Sequence, residues 1–243
     1  MVAWTTSQQS FYTISSIALL MDGVAVCARF MVNAGRALKS LSPDDPDRML
    51  FDSLRGKRSL YAAKAVILGS NAVYQYLSLI GRHHKKDPFD KEVVKAYWLG
   101  NALSFSMQEE HIASLIKDLQ VPQDVKKELL RTIPEKARPT HLSHLLHLVR
   151  AGASIHVDAM RIASARVIKI KRAAALIEYS PVYSPLRLAP RVKRAAQYHK
   201  KLCIPSVGDI VALHHGWIVA KLSRDQAAAM AAHTKDLIEK NTV

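Results

Sequence analysis

Gly208-Asp-Ile-Val-Ala-Leu-His-His-Gly-Trp-Ile-Val-Ala-Lys-Leu222 decides how the C-terminal part of this chain is read. Gly208-Asp209 is a turn pair, and Ile210 to Leu213 is an apolar, β-branched run of strand type. His214, His215 and Gly216 interrupt it before a second apolar run from Trp217 to Val219. A glycine inside a strand pattern predicts a bulge or a close backbone approach at Gly216. Ser223-Arg-Asp-Gln226 then has the form of a capping box and opens an Ala-rich helix reaching about Lys240.

Working back from this stretch, Arg161 to Ile170 alternates through Ile162, Ser164, Arg166, Ile168 and Ile170. Ala174 to Tyr179 and Val182-Tyr183 continue as short strands, broken at Pro181, Pro185 and Pro190. With the region around Ile210 to Val219 they predict a small antiparallel barrel, closed or nearly so and OB-like.

Before Gly152 the period is helical. Helices are expected over Ser15–Lys39, Asp47–Leu54, Ser59–Ile80, Asp90–Phe105, Glu109–Gln120 and Pro122–Thr132, after a polar stretch at residues 1–10. Ser-Pro-Asp-Asp-Pro at 42–46 is a helix-start cluster, and 81–88 is a basic surface turn. His141 to Val149 carries Leu142, Leu145, Leu146 and Val149 on one helical stripe, which collects His141, His144 and His147 on the opposite face. The chain therefore reads as α+β: an all-helical domain at 1–152, then a barrel with a C-terminal helix at 153–243. The boundary falls between Gly152 and Met160.

The 243 residues suffice for a sizeable core. Net charge is +15, and from Arg161 to Lys201 eleven Lys/Arg face one acid, Glu178. That balance suits an acidic protein surface or nucleic acid. Cys27 and Cys203 have no metal-type or disulfide-framework spacing, which fits a reducing cytoplasm. Phe11 to Val32 is long enough to span a bilayer, but Asp22 and Arg29 interrupt it, so a buried helix is expected there. No Gly-rich phosphate loop, nucleophile elbow or His-Glu-x-x-His occurs, and no enzyme is expected.

Gly208, Asp209, Val211, Leu213, His214, Gly216, Trp217, Lys221 and Leu222 fall without gaps on a Gly-Asp-(Tyr/Trp)-Val-x-(Val/Leu)-His-x-Gly-(Phe/Trp)-Ala-x-x-(Lys/Arg)-(Leu/Ile) pattern. In this the chain resembles the HypC/HupF-type chaperones that mature [NiFe] hydrogenases. Asn71–Ile80, Asp87–Asn101, Ala28-Arg-Phe30 and Ser42–Asp45 are similar to an uncharacterised bacterial family in which a helical domain is fused to a HypC-like barrel. The resemblance implies a docking protein for the hydrogenase large subunit or for maturation proteins. It places partner contact at Met160, His214, His215, Gly216, Trp217 and Lys221.

One position departs from that pattern. HypC-type chaperones open on a cysteine thought to hold iron, ahead of a Cys-x-(Ala/Ser)-x-Pro-Gly-x-Val strand. Here Met160-Arg-Ile-Ala-Ser-Ala-Arg-Val167 takes the place of that segment, with Met160 at the cysteine. A thioether cannot become an anionic ligand. The Gly-Tyr-Cys-Gly element associated with the fused family is also missing, residues 37–41 lying in roughly its place. The expectation is a protein that holds a partner without carrying iron.

Two further groups of residues bear on function. His141 and His144, on neighbouring turns, could share a metal ion, although no carboxylate or cysteine lies near them in sequence. A solvated or inter-domain histidine face is the plainer reading. The basic stretch interleaves Tyr179, Tyr183 and Tyr198, a composition suited to oligonucleotides on an OB-like face. Nucleic-acid binding is therefore the alternative to hydrogenase docking, and a solvated basic surface is the bland one.

Overall fold

The computed structural model describes residues 14–40, 42–119, 121–172, 174–183 and 186–241. The polar stretch 1–10, Leu41, Gln120 and Pro185 lie outside them. In chain order come α1 (Ile14–Met31), α2 (Ala34–Lys39), α3 (Pro46–Leu54), α4 (Leu60–Gly69), α5 (Asn71–His84), α6 (Lys91–Leu99), α7 (Ala102–Phe105), α8 (Glu109–Asp118), α9 (Gln123–Arg131), α10 (His141–Arg150) and α11 (Val157–Met160). Next come β1 (Ala163–Lys171), β2 (Ala174–Tyr179), β3 (Val182–Tyr183), β4 (Arg187–Leu188), β5 (Val192–Tyr198), β6 (Ile210–His214) and β7 (Trp217–Leu222). The last element is α12 (Arg224–Asn241).

Three expected helices are each two. The first breaks at Val32-Asn33, where the Asn33 side chain accepts from Arg36 N and caps α2. The second breaks at Ser70, between Gly69 and Asn71, three residues that favour turns over helix interiors. The third breaks at Gly100, whose φ of 77° leaves the helical region, after which Asn101 caps α7 through Leu103 N. Apolar periodicity survives such breaks because the faces on either side still point into one core. Asp45 caps α3 through Arg48 N, as its place in the Ser-Pro-Asp-Asp-Pro cluster predicts.

The helix α1 buries Val24, Cys27, Ala28 and Phe30 against α3, α4 and α6. Gly23 makes that packing possible: a Cβ there would lie 1.7 Å from the Phe89 carbonyl oxygen. Among the described residues no helix is long and apolar enough to cross a membrane.

The barrel is closed, in the order β1-β2-β5-β7-β6 and back to β1. Four of its pairings are antiparallel and β5–β7 is parallel, through Gln197↔Trp217 and Tyr198↔Ile218. This amends the all-antiparallel expectation, and the reason is parity. A ring with an odd number of strands cannot alternate direction all the way round. Its interior is narrow and filled largely by small side chains, with Ala163, Ala165, Ala175 and Ala196 beside Val167, Ile177, Val211, Leu213 and Ile218.

The outer wall of the β6–β7 hairpin does not face solvent. Ala212, Trp217, Val219 and Leu222 belong to the same buried cluster as Val24, Cys27 and Trp98 of the helices. The Trp217 indole sits on Gly35 of α2, where an added Cβ would lie 3.2 Å from Nε1. Burial of the Leu142 stripe occurs in a separate small cluster with Val182, Leu237 and Ile238.

Candidate functional site

The stretch from Gly208 to Leu222 folds as the β6–β7 hairpin. Gly208, at φ 89°, turns the chain into β6. The Asp209 carboxylate accepts from Ser206 N at 2.7 Å and pairs with Lys221 Nζ at 2.8 Å, across the hairpin's open end. Lys221 holds the Asp209 carboxyl below its ordinary range. At the closed end His214 faces Trp217, so His215-Gly216 is a two-residue turn. Both turn residues have positive φ, 50° and 77°, the type I′ signature. The glycine therefore serves the turn. No atom crowds a Cβ at Gly216, and the register shift lies between Ala212 and Leu213, opposite Val219.

The two histidines fall on different surroundings. Leu213 points into the barrel, so His214 points out of it, towards the helices. Only 4% of His214 is exposed. Its ring centroid lies 5.9 Å from Trp98 of α6 and 5.7 Å from His141 of α10, with the two imidazoles perpendicular. Burial pushes the His214 pKa down to about 3, and that of His141 well below its ordinary value. The Nδ1 atoms of both rings are buried without a hydrogen-bond partner. His215 is half-buried beside His214, at 4.2 Å between centroids.

Met160 reaches the same corner. His215 N donates to the Ala159 carbonyl at 3.0 Å, which fastens the end of α11, where Met160 follows, to the hairpin. A cavity of about 210 Å³ opens beside them, between Asn33, Asp158, Tyr179, Arg194 and His215. The structure thus assembles Met160, His214, His215 and Gly216 in one place. Trp217 is 9% exposed and belongs to the wall, and Lys221 stands at the hairpin's far end.

The α10 histidines are not solvated. His144 Nδ1 and the Tyr97 hydroxyl lie 2.9 Å apart, and the ring stacks on Tyr76 at 5.0 Å. Burial takes the pKa of His144 down to about 4. His147 Nε2 donates to the Leu129 carbonyl at 2.7 Å. The solvated form of the expectation is corrected here, because the aromatic side chains of α5 and α6 cover this face. His141 and His144 point to different partners. Among the described residues no group of three or more His, Cys, Asp or Glu is placed to hold a metal ion.

Sequence reasoning missed the network beside the cavity. Asp158 Oδ1 accepts from Arg161 at 3.1 Å and from Val182 N at 2.8 Å, and Oδ2 accepts from the Tyr179 hydroxyl at 2.9 Å. Arg194 Nη1 reaches the same hydroxyl at 3.3 Å. Burial lowers the Arg161 pKa, with Asp158 opposing, and raises that of Tyr179. An i, i+3 Asp-Arg pair was the only available sequence signal.

Of the interleaved tyrosines, Tyr179 is buried and Tyr198 donates to the Arg172 carbonyl at 2.8 Å. Tyr183 is 49% exposed.

A helical layer packed on the hairpin wall of a closed five-stranded barrel defines the class of protein. The chain belongs to the family of unknown function DUF6390, matched over residues 49–242. No curated protein and no solved structure matches it.

Proposed function

We propose that this is a non-catalytic assembly factor or accessory subunit that docks a partner protein, of the kind the HypC/HupF resemblance implies for [NiFe] hydrogenase. The observation carrying the reading is the ungapped Gly208–Leu222 run. It forms the last hairpin of a closed barrel, and a helix follows it directly. The strand order, renumbered within the barrel as 1-2-3-5-4, supports reading it as an OB-like Greek-key barrel. Met160 in place of a thiolate argues for holding a partner over carrying iron.

The hairpin wall that would meet a partner is covered by this chain's own α1, α2 and α6. Docking therefore falls to what remains outside: Ile204 at 62% exposure, Val207 at 65%, Lys221 and α12. The partners proposed are the hydrogenase large subunit or maturation proteins, in the cytoplasm. Affinity purification from the native host at about 0.3 M salt, where surface charge is screened, tests this. Recovery of hydrogenase or maturation subunits is expected. Recovery of neither would overturn the assignment.

A second reading, nucleic-acid binding, is favoured by exposed Lys169, Lys171, Lys193 and Arg194 on β1 and β5. It predicts affinity falling steeply with salt. The engagement of Tyr179 and Tyr198 leaves few free rings for base stacking, which places this reading behind the first.

A further inference from the structure

A second cavity, of about 300 Å³, lies on the outer wall of the barrel between β1, β2 and the first turns of α12. It does not depend on the docking reading. Four guanidinium groups line it, Arg161, Arg166, Arg191 and Arg224, against one carboxylate, Glu178.

Two of the four are already committed. Arg161 is buried, paired with Asp158 at 3.1 Å and bonded to the Ser180 carbonyl, and Arg191 lies 3.7 Å from Glu178. Arg166 and Arg224 are exposed and have no ion pair among the described residues. Arg166 stands across the β1–β2 pair from Glu178, so that one carboxylate faces both Arg166 and Arg191 and the cavity keeps a surplus of positive charge. The hydroxyls of Ser164 and Thr234 also line it. Arg224 and Ala227 belong to the first turn of an 18-residue helix, whose positive end adds to the same field.

The remaining lining is of another kind. Leu188, Ile210 and Met230 supply an apolar surface, and Ala228 and Ala231 keep the helix wall low. A cationic, hydroxyl-bearing end beside an apolar one selects a ligand with the same division. Guanidinium forks match phosphate oxygens in pairs. The volume stands at the lower end of the range for small-molecule sites.

We propose that this cavity binds a phosphorylated small molecule with a planar or apolar body, of the nucleoside monophosphate class. Arg166 and Arg224 would hold the phosphate, and Leu188, Ile210 and Met230 would take the base.

Calorimetric titration of the full-length protein with AMP, adenosine, inorganic phosphate and a short single-stranded oligonucleotide tests it. AMP is expected to bind more tightly than adenosine or phosphate alone. R166Q/R224Q should weaken AMP by about tenfold or more, because charge-assisted bonds are lost. K169Q/K171Q, at the far end of β1 and outside the cavity lining, should leave it unchanged. Ala228→Leu, which fills the cavity without altering charge, should weaken AMP while sparing inorganic phosphate. All of these positions are exposed, so melting temperatures should stay together.

Absence of AMP binding, equal loss in the two charge pairs, or indifference to Ala228→Leu would overturn the site. Binding of the oligonucleotide alone, lost equally in both pairs, would also overturn it, in favour of a diffuse cationic surface.

Discussion

His141 of α10 and His214 of β6 meet with perpendicular rings, 5.7 Å between centroids, where the helical layer closes on the barrel. Neither Nδ1 has a hydrogen-bond partner, and burial keeps both rings neutral. The junction is therefore built for uncharged imidazole. It resists acid poorly.

Stability should fall on acidification. The folded pKa is about 3 for His214 and about 4 for His144 and His233, each below the ordinary 6.5. A group with a depressed folded pKa contributes fully above 6.5. Below that the unfolded chain takes up protons that the folded chain refuses, and the contribution is lost progressively towards the folded values. Each such histidine steepens the slope by up to about 1.4 kcal/mol per pH unit. Urea denaturation at pH 7.5, 6 and 5 should show midpoints dropping across that window. His141→Leu should shallow the slope, because one refused proton is removed along with an unpartnered buried nitrogen.

Two glycines should fail for different reasons. Gly216→Ala meets no atom, so its cost is the left-handed backbone alone, about 1–2 kcal/mol. Gly216→Asn should recover part of that, since Asn tolerates this region. Gly23→Ala drives a Cβ to 1.7 Å from the Phe89 carbonyl and must separate α1 from the turn before α6. A cost of about 3 kcal/mol or more follows from overpacking against backbone. Melting curves of the three variants check the order. Equal losses at Gly23 and Gly216 would contradict it.

Much of this architecture is legible in the sequence, and the reasons it fails elsewhere are physical. Alternation from Ile162 to Ile170 and the apolar runs around Ile210 reveal strands because barrel walls sort side chains by a period of two. The strand β5 escaped because exposed residues, Lys193, Arg194, Ala195 and Gln197, dominate and Ala196 is its one buried side chain. Pairing across the chain is invisible to periodicity, so the parallel β5–β7 contact could only come from closure. The α10 face misleads for a related reason. Histidine tolerates water and core alike, and only Tyr76, Tyr97 and Trp98, distant in sequence, decide between them. The run at Gly208–Leu222 marked the right corner, but its spacing alone could not show that α1, α2 and α6 already occupy the hairpin wall.

Both thiols should be unreactive in the folded protein. Cys27 is fully buried, its pKa raised to about 12, and its sulfur accepts from Trp98 Nε1 at 3.5 Å. Burial also raises the Cys203 pKa, with Lys221 opposing. Since the thiolate is the reactive form, a thiol reagent at pH 7.5 should label Cys203 slowly and Cys27 only on unfolding. Mass spectrometry of tryptic peptides after timed labelling distinguishes the two. Rapid labelling of Cys27 would mean that α1 opens readily.

The docking reading makes its sharpest demand at the hairpin. Trp217 carries the resemblance, yet it is packed on Gly35 and shares a core with the helices. Trp217→Ala should cost about 3–5 kcal/mol by leaving a cavity, and any loss of partner would follow from loss of fold. Ile204 and Val207 are exposed on the loop before β6 and support no core. Ile204→Asp with Val207→Asp should leave the melting temperature within about 2 °C while abolishing recovery of the partner, as expected for apolar anchors at an interface centre. Retention of the partner by that double variant, with Lys221→Glu equally silent, would move the interface off the barrel and onto the helical layer.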